Sequence, residues 1–283
     1  MSVKIIVDSA SDLSLEEAKN NEIIVLPLKT LIDGKEYRDG IDITAYEFYE
    51  KLEECDELPT TSQVSPAEFI DVYESVVSGG DEAVVITLSS VLSGTYQSAV
   101  IALEGYEDKI HIVDSLNVAV GQQILIRYAM RLRDEGYGAK AIADELEKVK
   151  GRVCLLARVD TLEYLMKGGR VSKSAAIVGG VLNIKPVVTV EEGAVVVVGK
   201  ARGSKMSNNL LNQTIDKKGG IDFSMPAMLV YSGLDDALLK GYVENCRNLW
   251  EGNIENLPVT VLGSTVGTHV GPGAIGVAFF VKE

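Results

Sequence analysis

The sequence has few of the residues from which metal sites and disulfide frameworks are built. Its 283 residues include three cysteines and two histidines. Cys55, Cys154 and Cys246 lie far apart and form no CxxC pair, which argues against a zinc site and against a disulfide framework. We expect all three thiols to behave as small, inert apolar side chains. No metal and no cofactor are therefore predicted.

Long apolar runs are also missing. No segment has the roughly 18 uninterrupted apolar residues of a membrane span. The first residues, MSVKIIVDSASD, enter a strand pattern directly and lack the features of a signal peptide. We therefore expect a cytoplasmic protein with at most transient contact with a membrane surface. The net charge of -14 argues against a nucleic-acid partner, because phosphates repel an acidic surface.

Positive charge is scarce overall but concentrated in one region. Residues 1–150 contain 13 Lys and Arg against 29 Asp and Glu, whereas residues 151–283 contain 14 against 12. Between 165 and 205 the basic residues are Lys167, Arg170, Lys173, Lys185, Lys200, Arg202 and Lys205. Such a patch is typical of a docking surface for an anion or an acidic partner. Solvated charges that keep the surface soluble would give the same pattern.

The first half of the chain has the pattern of an α/β domain. Short β-rich runs such as VKIIV (3–7) and AVVITL (83–88) alternate with helical segments. Capping-box pairs at Ser14, Thr44 and Ser65 mark three helix starts, each with a glutamate three residues later. The alternation predicts a doubly wound, mostly parallel sheet over residues 1–150.

The second half, residues 151–283, predicts a smaller α+β domain. RVCLLARV (152–159) is a predicted strand, and SAAIVGGVL (174–182) is a predicted helix. Two β-rich runs flank Glu191-Glu192-Gly193 and indicate a hairpin. The last strand either stays in this domain or returns to the first one.

The segment SSVLSGTYQSA (89–99) joins a predicted strand to a predicted helix. Open α/β sheets bind ligands at such junctions, where free N–H groups and the helix dipole favour an anion. Gly94 allows close approach of the backbone, and Ser93 or Thr95 offers a hydroxyl. Ser93 is therefore a helix cap, a nucleophile or part of a cradle for a negative group, and spacing alone leaves all three open.

A catalytic serine would need a histidine base, and the chain offers His111 and His269. His111 alternates within a predicted strand and is expected in the core, whereas His269 lies in a glycine-rich segment (264–276) predicted to be a loop. The flanks of Ser93 lack the G-x-S-x-G frame of esterases. The GxGxxG at 271–276 precedes a β-rich run rather than a helix, so no dinucleotide site is expected.

Hydroxyl and carboxylate side chains also follow other predicted strands. PTTSQVSP (59–66) precedes a predicted helix, and an N-cap turn alone would explain it. Asp8-Ser9 and Asp114-Ser115 each end a predicted strand. The carboxyl ends of parallel strands meet at one edge of a sheet, so these turns are candidates to rim the same edge as Ser93.

Five segments, taken together, carry a family resemblance over essentially the whole chain. They are VDSASD (7–12), TSQVSP (61–66), SSVLSGTYQSA (89–99), LEYLMKGGRVS (162–172) and GTHVGPGAIGVAFF (267–280). In order and spacing they resemble the DegV family, bacterial fatty-acid-binding proteins that serve a fatty acid kinase. The resemblance implies two domains with a fatty acid in a tunnel between them and its carboxylate near the surface.

The resemblance also implies residue roles. Thr61, Ser62, Ser93 and Gly94 would contact the carboxylate, with His269 in the adjoining hydrogen-bond network. In the family the kinase uses ATP to phosphorylate the bound acid, and the acyl phosphate passes to an acyltransferase that feeds phospholipid synthesis. The implied protein is a non-catalytic, lipid-binding subunit of a kinase system. A serine hydrolase using Ser93 and His269 and a lipid-sensing regulatory protein are the alternatives.

Two basic segments, GGR (168–170) and K-x-R (200–202), resemble the corresponding segments of the DegV family. They imply that Lys167, Arg170, Arg202 and Lys205 dock the kinase.

Three positions depart from the family's usual pattern. Val64 stands where a proline is usual, and Ala119 and Gln123 stand where a serine and a glycine are common. We expect these changes to alter the pocket or the helix packing, and hence acyl-chain preference more than binding itself.

Overall fold

The computed structural model describes residues 2–172, 183–250, 252 and 257–283. The predicted helix over 174–182 lies outside the described residues. The strands are β1 (Val3–Asp8), β2 (Ile23–Leu26), β3 (Lys29–Ile32), β4 (Lys35–Arg38), β5 (Thr60–Ser62), β6 (Glu82–Thr87), β7 (Ile110–Asp114), β8 (Val153–Arg158), β9 (Ile184–Glu191), β10 (Ala194–Arg202), β11 (Met228–Tyr231), β12 (Val259–Val261) and β13 (Ile275–Phe280). The helices are α1 (Leu15–Asn20), α2 (Ala45–Glu54), α3 (Pro66–Ser78), α4 (Thr95–Ile101), α5 (Val120–Asp134), α6 (Ala139–Val149), α7 (Glu163–Lys167), α8 (Gly203–Lys217), α9 (Ala237–Asn245), α10 (Arg247–Trp250) and α11 (Ser264–Val270).

The first sheet has four parallel strands in the order β2-β1-β6-β7. Its strands are rich in Ile and Val, and Ile5, Ile6 and Val85 are fully buried, as expected for a sheet covered by helices. The pairs α3/α4 and α5/α6 pack on these strands. The prediction of a doubly wound parallel sheet is confirmed.

Three predicted helix starts are observed at Ser14, Thr44 and Ser65. Thr44 and Ser65 form complete capping boxes with the glutamates that follow them. Ser14 accepts the N–H of Glu17 at 3.1 Å, but the Glu17 carboxylate pairs with Arg127 of α5 at 2.6 Å. The third predicted box is therefore only an N-cap, because a tertiary ion pair takes the carboxylate that would have closed it.

A small antiparallel sheet with the order β4-β3-β5 was missed by the sequence pattern. Asp33 and Gly34 join β3 to β4 and both have positive φ, 48° and 76°. In β5, Thr61 pairs with Thr30 of β3. This sheet places Thr61 beside the carboxyl edge of the first sheet.

The second main sheet has six strands in the order β10-β9-β8-β13-β11-β12. All its pairs are antiparallel except β11 with β12. The predicted hairpin is present as β9 and β10, with Glu192 and Gly193 at its tip. The change from parallel to antiparallel pairing follows α6, close to the predicted boundary at residue 150.

The last strand, β13, hydrogen-bonds between β8 and β11 in the second sheet. The alternative in which it returns to the first sheet is therefore wrong. One face of β13, with Ala278 and Phe280, packs into the core of the first sheet, and the other, with Val277 and Phe279, packs into the second core. Alternate side chains on one strand thus join the two halves.

Among the described residues, no helix is long and apolar enough to cross a membrane.

Candidate functional site

A cavity of about 290 Å³ lies between the two halves of the protein. We call it the head chamber. Its wall combines first-half residues from the ends of β1, β5 and β6 with second-half residues from α7, β10 and α11. Its polar lining includes Thr61, Ser62, Gln63, Ser93, Arg170 and His269. The five residues predicted to form a carboxylate site, which include Gly94, therefore all line one cavity.

The segment 89–99 is held at the carboxyl edge of the first sheet by side chains of neighbouring strands. The carboxylate of Asp8, at the end of β1, accepts the N–H of Leu88 at 2.7 Å. Asp114, at the end of β7, accepts the N–H of Ser90 at 3.3 Å. The predicted strand-end turns do meet at one edge, where they support the serine-rich segment.

Ser93 does not cap α4. The N-cap is Gly94, which has no side chain for capping, and Ser93 precedes it. The Ser93 hydroxyl lies 3.0 Å from the Thr95 hydroxyl and accepts the Thr95 N–H at 3.3 Å. Ser93 is therefore not the N-cap residue itself, although its hydroxyl accepts the N–H of the first residue of the helix. Gly94 brings the backbone against Gln63. A Cβ at Gly94 would lie 2.0 Å from Gln63 Oε1.

His269 lies on a helix rather than in the predicted loop. It occupies the last turn of α11, and its Nε2 lies 2.8 Å from the Thr61 hydroxyl. A Cβ at Gly168 would lie 2.2 Å from His269 Nδ1, so the absence of a side chain there makes room for the ring. Nδ1 itself is buried without a hydrogen-bond partner among the described residues. His111 lies in β7 as predicted, half-buried rather than in the core.

Burial lowers the pKa of His269 to about 4, and the positive charge of Arg170 adds to the effect. The imidazole is therefore neutral near pH 7, and only one of its two ring nitrogens carries a proton. If that proton is on Nε2, the ring donates to Thr61 Oγ1 and leaves the threonine hydroxyl hydrogen free to point into the chamber.

Arg170 belongs to the wall of the head chamber, whereas the sequence predicted an outward docking role. Its Nε and Nη2 donate to the carbonyl of Leu92 at 3.2 and 3.1 Å, and its Nη1 donates to the carbonyl of Gly168 at 2.6 Å. The guanidinium thus ties the serine-rich segment of the first half to the end of α7 in the second half. Its charge is directed to backbone carbonyls.

The other predicted docking residues lie outside the chamber. Lys167, Arg202 and Lys205 are all exposed, and Lys167 pairs with Glu163 at 2.6 Å. Arg202 ends β10 and Lys205 lies in the first turn of α8. The structure therefore separates Arg170 from the surface set with which the sequence grouped it.

A second cavity of about 60 Å³ adjoins the first. We call it the tail chamber. The two chambers share the lining residues Val118, Leu165, Val195, Val266 and Val270. The tail chamber is lined almost entirely by apolar side chains, including Leu155, Ala157 and Val188 on the face of the second sheet. The two chambers thus adjoin at shared apolar residues, and the polar side chains lie mainly in the wall of the head chamber.

Two residues of this site were not predicted from the sequence. Gln63 donates from Nε2 to the Ser98 hydroxyl at 2.8 Å and packs against Gly94, so it joins β5 to α4. Its position between the predicted Ser62 and the helix cap at Ser65 was the available signal. Thr265 lines the head chamber as well, on a helix that the glycine content of the segment concealed.

Comparison with known proteins decides the family. A model of the DegV family of uncharacterised proteins matches residues 2–282. The chain belongs to the DegV family. A DegV domain-containing protein from Caldanaerobacter subterraneus subsp. tengcongensis is 37% identical over 283 residues, and the match covers 99% of each chain. The resemblance predicted from the five segments is confirmed.

Solved DegV structures share the fold. A DegV family protein from Thermus thermophilus, described as binding fatty acid, is 32% identical with a TM-score of 0.88 over 99% of this chain and 100% of its own. A stearic acid-binding protein from Eubacterium ventriosum is 28% identical with a TM-score of 0.84 over 98% and 97% of the two chains. The similarity spans both halves of the chain.

The three departures from the DegV pattern are all buried, and one of them lines a cavity. Val64 is fully buried in the core of the first half. Ala119 lines the tail chamber and has positive φ, 53°, which is unusual for a residue with a Cβ. Gln123 is buried in α5, and its Oε1 has no hydrogen-bond partner among the described residues. Of the three, Ala119 contacts the space that would determine acyl-chain preference.

Proposed function

We propose that this DegV protein binds a long-chain fatty acid and presents its carboxylate to a fatty acid kinase, which converts the acid to acyl phosphate with ATP. An acyltransferase would then use the acyl phosphate in phospholipid synthesis. The observation that carries the proposal is a pair of adjoining cavities: the head chamber groups hydroxyls and an imidazole within largely apolar walls, and the tail chamber is lined almost entirely by apolar side chains. DegV structures described as fatty-acid-binding support the ligand class.

The head chamber suits a carboxylate that must react further. Ser93 and Thr61 offer hydroxyls, and His269 is neutral because burial lowers its pKa to about 4. Neutral donors orient a carboxylate without the strong, charge-assisted pairing of a bidentate arginine. Arg170 is the cation in the chamber wall, and its N–H groups are directed to Leu92 and Gly168. A carboxylate held this way keeps its nucleophilic oxygen available for phosphorylation.

The apolar walls of both chambers supply the affinity. Burial of a methylene group contributes about 0.8 kcal/mol, so a chain of around 16 carbons contributes on the order of 10 kcal/mol before the costs of ordering it. Such a ligand should persist through purification.

The geometry does not favour the serine hydrolase alternative. A hydrolytic dyad needs the histidine within hydrogen-bond distance of the serine. Here His269 Nε2 bonds to Thr61 and the Ser93 hydroxyl bonds to Thr95. A histidine with a pKa of about 4 is also a weak general base near pH 7. A fluorophosphonate probe should therefore leave Ser93 unlabelled.

Organic extraction of freshly purified protein, followed by mass spectrometry, should release about one fatty acid per chain. The Thr61→Val variant keeps the shape of Thr61 but removes the hydroxyl, so retention should fall roughly tenfold with the loss of one or two hydrogen bonds. Thr60→Val, on the same short strand and outside the chamber lining, is the matched control. Protein that is empty as purified and also fails to take up added palmitate would contradict fatty acid binding.

The kinase step is tested by a double variant. Arg202→Ala with Lys205→Ala removes two exposed charges outside the chamber, so fatty acid retention should be unchanged. Acyl phosphate formation with a DegV-associated fatty acid kinase should fall at least tenfold if these residues dock the enzyme. Lys240→Ala with Lys217→Ala is the control for loss of charge alone. A lipid-sensing regulator would retain the acid yet give no acyl phosphate even in the wild type.

A further inference from the structure

Helix α11, which carries His269, is fastened at both ends to the same small sheet. At its last turn His269 Nε2 lies 2.8 Å from the hydroxyl of Thr61 in β5. At its first residue the Ser264 hydroxyl lies 2.9 Å from the hydroxyl of Thr30 in β3. Thr30 and Thr61 are directly paired across the two strands. One cross-strand pair therefore contacts both the beginning and the end of the helix.

The beginning of α11 is also held by two buried carboxylates. Asp39 Oδ1 accepts both the N–H and the hydroxyl of Ser264, each at 2.8 Å. Asp12 Oδ1 accepts the N–H of Gly263 at 2.7 Å. These bonds satisfy N–H groups that a helix leaves free at its first turn, where the helix dipole also favours negative charge.

Ser264 is the residue at which these contacts meet. Because its hydroxyl donates its single hydrogen to the Asp39 carboxylate, the Thr30 hydroxyl must donate to Ser264. Ser264 is 1% exposed and Thr30 is fully buried, so water does not substitute for either partner. A serine fixed from two sides sets the rotation of the helix about its axis.

Because α11 is a rigid, closely packed helix, its rotation at Ser264 also fixes the position of His269. His269 lies five positions after Ser264, a rise of about 7.5 Å in an α-helix. A Cβ at Gly267, between them, would lie 2.6 Å from a ring carbon of Phe48. The helix is therefore packed tightly against α2, and it has little freedom to turn or slide independently of its first residue.

We infer that Ser264 is a positioning residue for the carboxylate site: by fixing α11 on the Thr30–Thr61 strand pair, it keeps His269 bonded to Thr61 and the Thr61 hydroxyl directed at the ligand. The functional consequence of this inference, a change in fatty acid affinity, rests on the proposed function. Its structural part, the coupling of Ser264 to His269, concerns the ligand-free protein and is tested separately.

The test uses Ser264→Ala and the rescue variant Ser264→Thr, which restores a hydroxyl. The matched control is Thr268→Val, because the Thr268 hydroxyl bonds only within the helix, to the Ser264 carbonyl at 2.8 Å. The chain has two histidines, so imidazole NMR gives one set of ring signals for each, and His111 in β7 serves as the internal reference.

In ligand-free Ser264→Ala protein, the His269 signals should shift and the pKa of His269 should rise by at least about half a unit, because a loosened ring gains solvent. The His111 signals should not change. Affinity for palmitate should fall roughly tenfold, the value of one lost hydrogen bond. Ser264→Thr and Thr268→Val should retain wild-type values in both measurements. If Ser264→Ala does not fold, Thr30→Val removes the other half of the same contact and should move His269 in the same direction.

Unchanged His269 signals in a folded Ser264→Ala or Thr30→Val variant would overturn the inference, even if affinity fell. Equal effects of Thr268→Val and Ser264→Ala would overturn it as well, because the change would then reflect general helix stability. If wild-type protein binds no fatty acid while His269 still responds to Ser264→Ala, the proposed function fails and the coupling stands.

Discussion

The Ala157→Phe variant should lose roughly a hundredfold in affinity for palmitate while it keeps its affinity for octanoate. Ala157 lies on β8, is half-buried and lines the tail chamber but not the head chamber. A phenyl ring at this position fills a space of about 60 Å³ and excludes the end of a long acyl chain. Displacing about four methylenes at 0.8 kcal/mol each costs about 3 kcal/mol. An eight-carbon acid would end before the ring.

The measurement is a titration of wild type and variant with saturated acids of increasing length. Ala201→Phe is the matched control, because Ala201 is a half-buried strand residue of the same sheet that lines neither chamber. Overpacking alone would destabilise the fold by about 1–3 kcal/mol, and a thermal melt detects that change separately. Equal loss for palmitate and octanoate would mean that the acyl chain does not occupy the tail chamber.

Local features of the chain were predictable because they depend on neighbours in sequence. The caps at Thr44 and Ser65 follow from an oxygen and a glutamate three residues apart, and both boxes form. The hairpin tip at Glu192-Gly193 needs residues that accept positive φ. The Asp33-Gly34 turn carries the same signal, but its strands are too short and too polar for alternation to be recognised.

Helix α11 was mistaken for a loop because its stability comes from elsewhere in the chain. Gly267, in the middle of this short helix, lowers its helix propensity, and the surrounding glycines give the segment the composition of a loop. In the fold, Asp12 and Asp39 take the N–H groups of its first turn, and Gly267 is required for close packing on Phe48. Tertiary contacts thus decide the structure of this segment.

Charge patterning grouped Arg170 with surface residues because its main contact, too, comes from elsewhere in the chain. In the sequence it stands in a basic stretch, and an arginine there is usually solvated. The carbonyl of Leu92, 78 positions away, accepts two of its N–H groups. Only the approach of the two halves creates that acceptor, whereas Thr61, Ser93 and His269 were identified through the family motifs.

The free energy of unfolding should depend on pH through buried groups that act in opposite directions, Asp8 and His269 among them. Burial raises the pKa of Asp8 from 3.8 to about 7, with a smaller contribution from the charge of Asp39. Folded protein therefore binds a proton at Asp8 more tightly than unfolded protein does. The resulting stabilisation is complete below about pH 4 and is lost as the pH rises to about 7, by at most about 4 kcal/mol.

His269 has the opposite effect. Its pKa falls from 6.5 to about 4 on folding, so the unfolded chain binds the proton more tightly. Stability from this residue is complete above about pH 6.5 and is lost as the pH falls towards 4. In wild type the effects of Asp8 and His269 partly cancel over the same interval, while burial of Asp12, which also raises its pKa, adds to the effect of Asp8. Single variants should expose each one.

Relative to the wild-type profile, Asp8→Asn should therefore make stability rise more steeply with pH between about pH 4 and pH 7, and His269→Gln should make it fall more steeply between about pH 4 and pH 6.5. Urea unfolding across this range measures both slopes, and the slope matters rather than the absolute stability, since asparagine offers one acceptor fewer to Leu88 and Gln122. Asp71→Asn, an exposed carboxylate on α3, should leave the wild-type profile unchanged. Parallel profiles for Asp8→Asn and wild type would mean that Asp8 is charged in the folded protein throughout, and that the polar contacts at the end of β1 outweigh its burial.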